Sequence, residues 1–325
     1  MKEYHIDGFR FDLGYLIDEE TRMFILAELR AINPNVIILA EPWGGGYDPD
    51  GFSDIGWASF NDKIRNGVKG QNPINGLGFI FGKWFGDNDQ KALQRFVMGS
   101  LREFGGQYVD IAHSVNYLES HDDNTFGDFV RIGSGQVQEH LVITDRTENA
   151  KVVDKQLALN KLGALFLFTS QGITFMHEGQ EWARSKVIAK TDALDDRVGQ
   201  IDHNSYNKDN ETNWLNWDEK DLNLDLVNYY KGLIQLRKKY SEFRHSKPVD
   251  FKFIDVGKQV ALAYTLRNKF IVAMNGDSEN DLKIDLPDGD WKVLVNGKKV
   301  DLSGQSNISK ILTVNPTSGI ILIKS

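Results

Sequence analysis

The chain has 325 residues, a net charge of −8 and no cysteine, which excludes disulfides and thiolate-bound metal and argues against nucleic acid as a main partner. Its apolar and charged fractions, 41% and 26%, are those of an ordinary soluble globular protein, and the length suits two domains or one large barrel with an appendage. No window approaches the roughly 18 apolar residues of a transmembrane helix, so no membrane partner is expected. Met1-Lys2-Glu3 leads straight into a strand-like segment rather than a signal peptide. A start made at once on a strand reads as a truncated one and leaves the compartment, cytoplasmic or exported, open.

The opening run Tyr4-His5-Ile6-Asp7-Gly8-Phe9-Arg10-Phe11-Asp12 reads as a strand. Asp18 is the expected N-cap of a helix over residues 19–32, with Ile25, Leu29 and Ile32 on its inner face and Pro34 past its exit. The apolar run Val36 to Ala40 is a strand covered on both faces, and it ends at Glu41. A Gly- and Pro-rich loop from Pro42 through Gly51 follows, then a short strand at 57–60 and a weak helix near 63–69. Residues 70–89 read as loop, and 90–104 as a helix stopped by Gly105-Gly106.

Ser114 to Glu119 is the next strand, ending at Ser120-His121-Asp122-Asp123, and a polar region follows it. Asp154 opens a helix whose turns from Leu162 to Phe168 are apolar almost all round, hence buried. Ile173 to Met176 is a short strand, residues 183–220 are polar and irregular, and a last helix spans about 222–240. Past Arg244 the texture changes to short alternating strands separated by Asn275-Gly276, Asp288-Gly289 and Asn296-Gly297. The reading is an α/β unit over 1–244 with a parallel sheet, barrel or open, and a small antiparallel β-sandwich over 245–325.

Three carboxylates, Asp12, Glu41 and Asp122, each fall at the C-terminal end of an expected parallel strand. In a (β/α)8 barrel that end is where active sites are built, from several strands at once. Arg10 lies two residues from Asp12, on the same strand face, and would keep that carboxylate ionised and oriented; alone, the pair would serve equally as a structural ion pair. Paired acids with an arginine, a histidine and nearby aromatics suit glycoside hydrolysis. Trp43 could stack on a sugar and, by its apolar bulk, raise the pKa of Glu41.

Other groups carry less. His177-Glu178-Gly179-Gln180-Glu181 resembles a zinc-protease helix but lacks the second histidine. The acidic stretch 192–202 lacks the spacing of a calcium loop, so no cofactor or metal is expected, although a structural calcium is not excluded. Trp84, Trp182 and Trp291 read as packing, and His5 and His113 as hydrogen-bonded structural residues.

These residues resemble a known family. Asp7 to Asp12, then Glu41-Pro42-Trp43, then Glu119-Ser120-His121-Asp122 are similar, in order and spacing, to three motif regions of the alpha-amylase superfamily, glycoside hydrolase family 13. The resemblance implies Asp12 as nucleophile, Arg10 as its partner, Glu41 as general acid/base, and Asp122 as transition-state stabiliser beside His121. Leu13-Gly14-Tyr15 stands where typical alpha-amylases carry a Lys-His pair, which is closer to the pullulanase, type I debranching branch. The segments around His203 to Asn207 and Val314 to Thr317 also look like that branch. By the family pattern the chain holds about strands 4–8 of the barrel plus the C-terminal domain, without the earlier Asp- and His-bearing region.

The expected activity is therefore retaining hydrolysis of alpha-glucans at α-1,6 branch points. The alternatives are an α-1,4-acting amylase or transglycosylase, or an inactive glucan-binding fragment. The expected partner is an alpha-glucan polysaccharide or oligosaccharide, with Arg10, His121, Trp43, Tyr206 and Trp214 binding it; the oligomeric state is not legible.

Overall fold

The opening run forms β1 (Gly8–Phe11) in a computed structural model that describes residues 1–191, 195–308 and 310–325. Asp18 caps α1 (Glu19–Ile32) by accepting the Thr21 amide at 2.9 Å, the bond its position dictates. Next come β2 (Ile37–Ala40), α2 (Pro49–Asp54), β3 (Ala58–Phe60) and α3 (Asp62–Val68). A small hairpin, β4 (Gly70–Asn72) with β5 (Gly76–Leu77), leads to α4 (Gln90–Val97) and β6 (Ser114–Asn116). Then α5 (Phe126–Gly133), α6 (Arg146–Ala150) and α7 (Asp154–Thr169) precede β7 (Ile173–Thr174). Three more helices, α8 (Asp218–Leu222), α9 (Leu224–Lys239) and α10 (Glu242–His245), close this part.

The strands β1, β2, β3, β6 and β7 form one sheet in strictly sequential order, every neighbouring pair parallel. Sequential parallel pairing brings all five C-terminal strand ends to one side, so residues that follow the strands share a rim. Under the first two strands, Ile25, Leu26 and Leu29 of α1 pack on Ile38, Ala40, Phe52 and Trp57. Ile32, expected on that inner face, is half exposed along with Met23 and Phe24. Among the described residues β1 has a strand on one side only, so the apolar surface around it is incompletely covered.

The remaining strands are β8 (Phe251–Phe253), β9 (Ala261–Leu266), β10 (Phe270–Asn275), β11 (Leu282–Asp285), β12 (Trp291–Val295), β13 (Val300–Ile308), β14 (Ile311–Val314) and β15 (Ser318–Lys324). Six of them make an antiparallel sheet in the order β13-β12-β15-β10-β9-β8, and β11 pairs with β14 separately. The period of two sorts its side chains. Leu262, Tyr264, Val272 and Met274 face α7 and α9 in the main core, while Ala261, Ala263, Ile271 and Ala273 face Leu282, Ile284, Leu312 and Val314. The approach of β15 to α7 is close enough that a Cβ on Gly319 would come within 2.2 Å of Leu165. No helix among the described residues is long and apolar enough to cross a membrane.

Several expectations need correcting. The helix expected over 90–104 ends at Val97, because Gly99 and Ser100 both take positive φ and the chain turns back, with Gln107 and Tyr108 donating to the Ser100 carbonyl. The region after Asp123, read as polar, contains α5 and α6. Phe126, Phe129, Val130 and Ile132 are buried there, on a helix of 8 residues whose apolar face was hidden by the charges between them. The loop through Gly51 gives way to α2 at Pro49. Of the three turn pairs only Asn296-Gly297 joins paired strands. Asn275 instead caps strand ends, donating to the carbonyls of Asn280, Val314 and Asn315. The tight hairpin between β9 and β10 turns on Arg267 and Asn268, both left-handed, where no glycine marks it.

Candidate active site

Asp12 stands one residue past β1 and Glu41 one past β2, and the parallel register holds them side by side, with Phe11 opposite Ala40. Arg10 reaches both acids: Nη1 donates to Asp12 Oδ1 at 2.6 Å and Nη2 to Glu41 Oε1. The second Glu41 oxygen accepts the Leu13 amide at 2.9 Å. The two carboxylates then diverge in environment. Asp12 is exposed, whereas Glu41 is only 3% exposed. Burial raises the pKa of Glu41; the Leu13 amide and Arg10 oppose that rise, and the charges of Asp12 and Asp122 add to it. One guanidinium therefore holds an exposed acid next to a buried acid whose pKa is raised.

The third acid arrives from β6. Asp122 follows that strand on a strap that runs into α5, and His121 Nε2 lies 3.4 Å from Asp122 Oδ2. Donor atoms of Glu41, His121 and Asp122 fall within 4.8 Å of one another. Both Glu41 oxygens accept hydrogen bonds, one from Arg10 and one from the Leu13 amide.

Asp12, Glu41, Trp43, His121, Asp122 and Tyr206 line one cavity of about 440 Å³, enough for a small saccharide segment. A second hollow of about 230 Å³, lined by Arg10, Phe60, Tyr117 and Phe175, shares Glu41, Trp43 and His121 with it. Trp43 sits on the wall next to Glu41. Tyr206 is 63% exposed, its ring at the cavity edge, while Trp214 is 65% exposed and is not among the lining residues.

Two lining residues, Asp62 and Arg65, escaped the sequence reading altogether, and Leu13, Ser120, Asp123 and Asn204 entered it only as members of strand ends or motif segments. Arg65 pairs with Asp62 at 3.7 Å and Asp123 at 3.4 Å and lies over the Tyr117 ring, forming one wall of the cavity. A signal was present, since Asp62 stands two residues past β3, one farther than Asp12 and Glu41 stand past their own strands. Beneath this wall the Lys69 amine is buried 4.4 Å from the Phe129 ring, and burial, with Arg65 nearby, lowers its pKa to about 7.

The other candidates go elsewhere. His177 pairs with Glu119, and Gly179 is left-handed, so that segment is no metalloprotease helix. In the acidic stretch, residues 192–194 lie outside the described residues, Asp195 pairs with Arg197 and Lys208, and Asp202 pairs with Lys208. Trp182 and Trp291 are core, and Trp84 packs against it. His113 bonds Ser53 as a structural residue. His5 is a correction: it is exposed with no hydrogen-bond partner among the described residues, because its left-handed turn precedes the sheet.

The family described as the alpha amylase C-terminal all-beta domain matches residues 255–323. The chain is 27% identical over 266 residues to a pullulanase of Bacillus subtilis, covering 78% of this chain and 33% of that protein. It is 25% identical to a glycogen operon protein GlgX homolog of Mycobacterium tuberculosis, covering 79% of this chain and 36% of that one. Among solved structures, a pullulanase from Bacillus acidopullulyticus superposes with a TM-score of 0.81 at 27% identity, over 99% of this chain and 38% of that one. A pullulanase from Paenibacillus barengoltzii, in complex with maltohexaose and alpha-cyclodextrin, gives 0.79 at 29%, over 99% and 48%. The chain thus spans about a third of the length of the curated relatives just named.

Proposed function

We propose, for a chain similar over nearly its whole length to the debranching enzymes of the alpha-amylase superfamily, that the cavity hydrolyses alpha-glucans at α-1,6 branch points with retention of configuration. The sequential parallel sheet is then about strands 4–8 of a (β/α)8 barrel over residues 1–244, and residues 245–325 are its C-terminal β-sandwich. Asp12 attacks the anomeric carbon, held by Arg10 with its lone pairs toward the cavity. Glu41 gives its proton to the leaving oxygen. The resulting carboxylate takes a proton from water, which releases the glycosyl unit from Asp12. Asp122, with His121, meets the positive charge that develops on the sugar. Trp43 and Tyr206 present ring faces to it, and Trp214 serves only a longer glucan that extends beyond the cavity.

The observation that carries this reading is the split between two neighbouring acids: one exposed and paired, the other buried with a raised pKa. That is the acid/base division a retaining glycosidase needs. The test is product analysis. Maltotriose released from pullulan supports debranching, and mixed maltodextrins from linear starch assign the site instead to α-1,4 hydrolysis or transfer.

A second reading, glucan binding without turnover, is favoured by one observation: β1, whose end carries Asp12, has a neighbour on one side only among the described residues. Retention on amylopectin with no release of reducing ends would establish it.

A further inference from the structure

Glu119 is buried at the start of the strap that carries His121 and Asp122, and among the described residues its hydrogen bonds go to neither. One of its oxygens faces His177 Nδ1 at 3.0 Å, in the segment after β7. The other accepts the amide of Phe126, the first residue of α5. Glu119 and Phe126 bracket the strap, so this carboxylate ties its two ends together and pins them to a third segment. An apolar side chain of similar size would fill the space without the desolvation penalty of a buried charge. What the carboxylate adds is direction.

The strap needs such a hold. Asp123 takes φ +59°, a left-handed conformation that is strained for a residue with a side chain. Most other bonds along it are longer: Asp122 N–H to Ser120 Oγ at 3.3 Å, Asp123 N–H to Asn204 Oδ1 at 3.3 Å, Asn124 Nδ2 to the Asp202 carbonyl at 3.2 Å, and Lys186 Nζ to the His121 carbonyl at 3.2 Å; the short one, Thr125 Oγ1 to the Arg184 carbonyl at 2.7 Å, holds the far end next to α5 and leaves His121 to Asp123 to the weaker set. Charge-assisted bonds to a buried carboxylate are the stronger kind.

We propose that the Glu119–His177 pair is a latch that keeps the His121–Asp122 strap in its working shape, so that Glu119 is a positioning residue for Asp122. The inference rests on the reading of Asp122 as a charge acting on a bound sugar. Glu119→Gln keeps one of the two bonds and turns an amide toward the other donor; Glu119→Ala keeps neither.

The test combines amide hydrogen exchange with steady-state kinetics on the full chain. Glu119→Ala should speed exchange over residues 120–126 by about tenfold or more, as expected for losing two bonds to a charged acceptor. It should lower kcat on the glucan by a similar factor with KM within about twofold, because Asp122 acts mainly in the transition state. Glu119→Gln and His177→Gln should fall between, with protection of 162–168 in α7 unchanged. If Glu119→Ala loses that α7 protection as well, the two milder variants decide. Wild-type exchange and wild-type kcat in both of them would overturn the latch. Absence of glucan turnover in the unmodified chain would sink the hydrolase reading alone, and strap exchange would still decide the latch.

Discussion

Two regions of the molecule solve opposite problems. Along the rim of the parallel sheet, Asp12, Glu41, Asp62, Asp122 and Asp123 crowd one cavity; Arg65 lines it with them, and Arg10 pairs with Asp12 and Glu41 from the adjoining hollow. Where α7 and α9 lie on the six-stranded sheet, Leu159, Leu162, Leu165, Phe166, Tyr230 and Leu233 close over Tyr264, Val272 and Met274 in a fully buried layer. The first region gathers like charges at an energetic penalty, which the proposed function explains as the requirement of a reactive site; the second gains stability from burial. Substitutions should therefore separate cleanly, with rim changes acting on turnover and layer changes acting on unfolding.

The largest effect expected is at the rim. Asp12→Ala and Glu41→Gln should each reduce reducing-end release from pullulan by about 10²–10⁴-fold or more, the range lost with a positioned acid or base, while oligosaccharide binding measured by calorimetry stays nearly unchanged. In the buried layer, Phe166→Ala should destabilise the fold by about 3–5 kcal/mol in denaturant titration and leave oligosaccharide affinity untouched. A loss of binding there would break the division between the two regions.

Lys69 sharpens the comparison, since it is a buried charge directly beneath the rim. Its folded pKa of about 7 lies below the ordinary lysine value, so between that pH and about 10.4 the unfolded chain binds more protons and stability rises with pH. Lys69→Met should flatten that rise and be more stable than the parent below pH 7, as read from Tm against pH. Glu41 has the opposite sign. Its raised pKa means that the folded state binds more protons than the unfolded one, so its contribution to stability falls as pH climbs through the carboxyl range. Glu41→Gln should be the more stable protein at neutral pH, with the gain vanishing below about pH 4. The smallest effects belong to the aromatics: Tyr206→Ala should weaken maltotetraose binding about fivefold, one aromatic contact's worth, and Trp214→Ala should leave it unchanged.

Much of the lining of the candidate cavity was legible because strand ends are marked in sequence. The apolar runs before Asp12 and Glu41 fix where extended backbone stops, and a carboxylate at that point has only one rim to face. Asp18 likewise announced α1 through its cap. What escaped depends on contacts distant in the chain. Arg65 looks like one more helix-surface charge until Asp123, 58 residues on, lies beside it. Glu119 reads as the last residue of a strand, and only His177 and Phe126 reveal its partners. The short helix α5 was hidden because Asp128 and Arg131 look like surface residues, although they bury together as an ion pair. The hairpin at Arg267-Asn268 was missed because its left-handed residues are not glycine.

The central claim is that Asp12 becomes covalently bound to the sugar while Glu41 manages the proton. The most direct measurement is peptide mass spectrometry after incubation with a 5-fluoro-glucosyl fluoride, which slows release of a covalent intermediate. The account predicts one glycosyl adduct on Asp12, accumulating in the unmodified chain and absent from Asp12→Ala. An adduct on Glu41, Asp122 or another residue, or glucan hydrolysis that proceeds with no adduct and with inverted configuration, would contradict it.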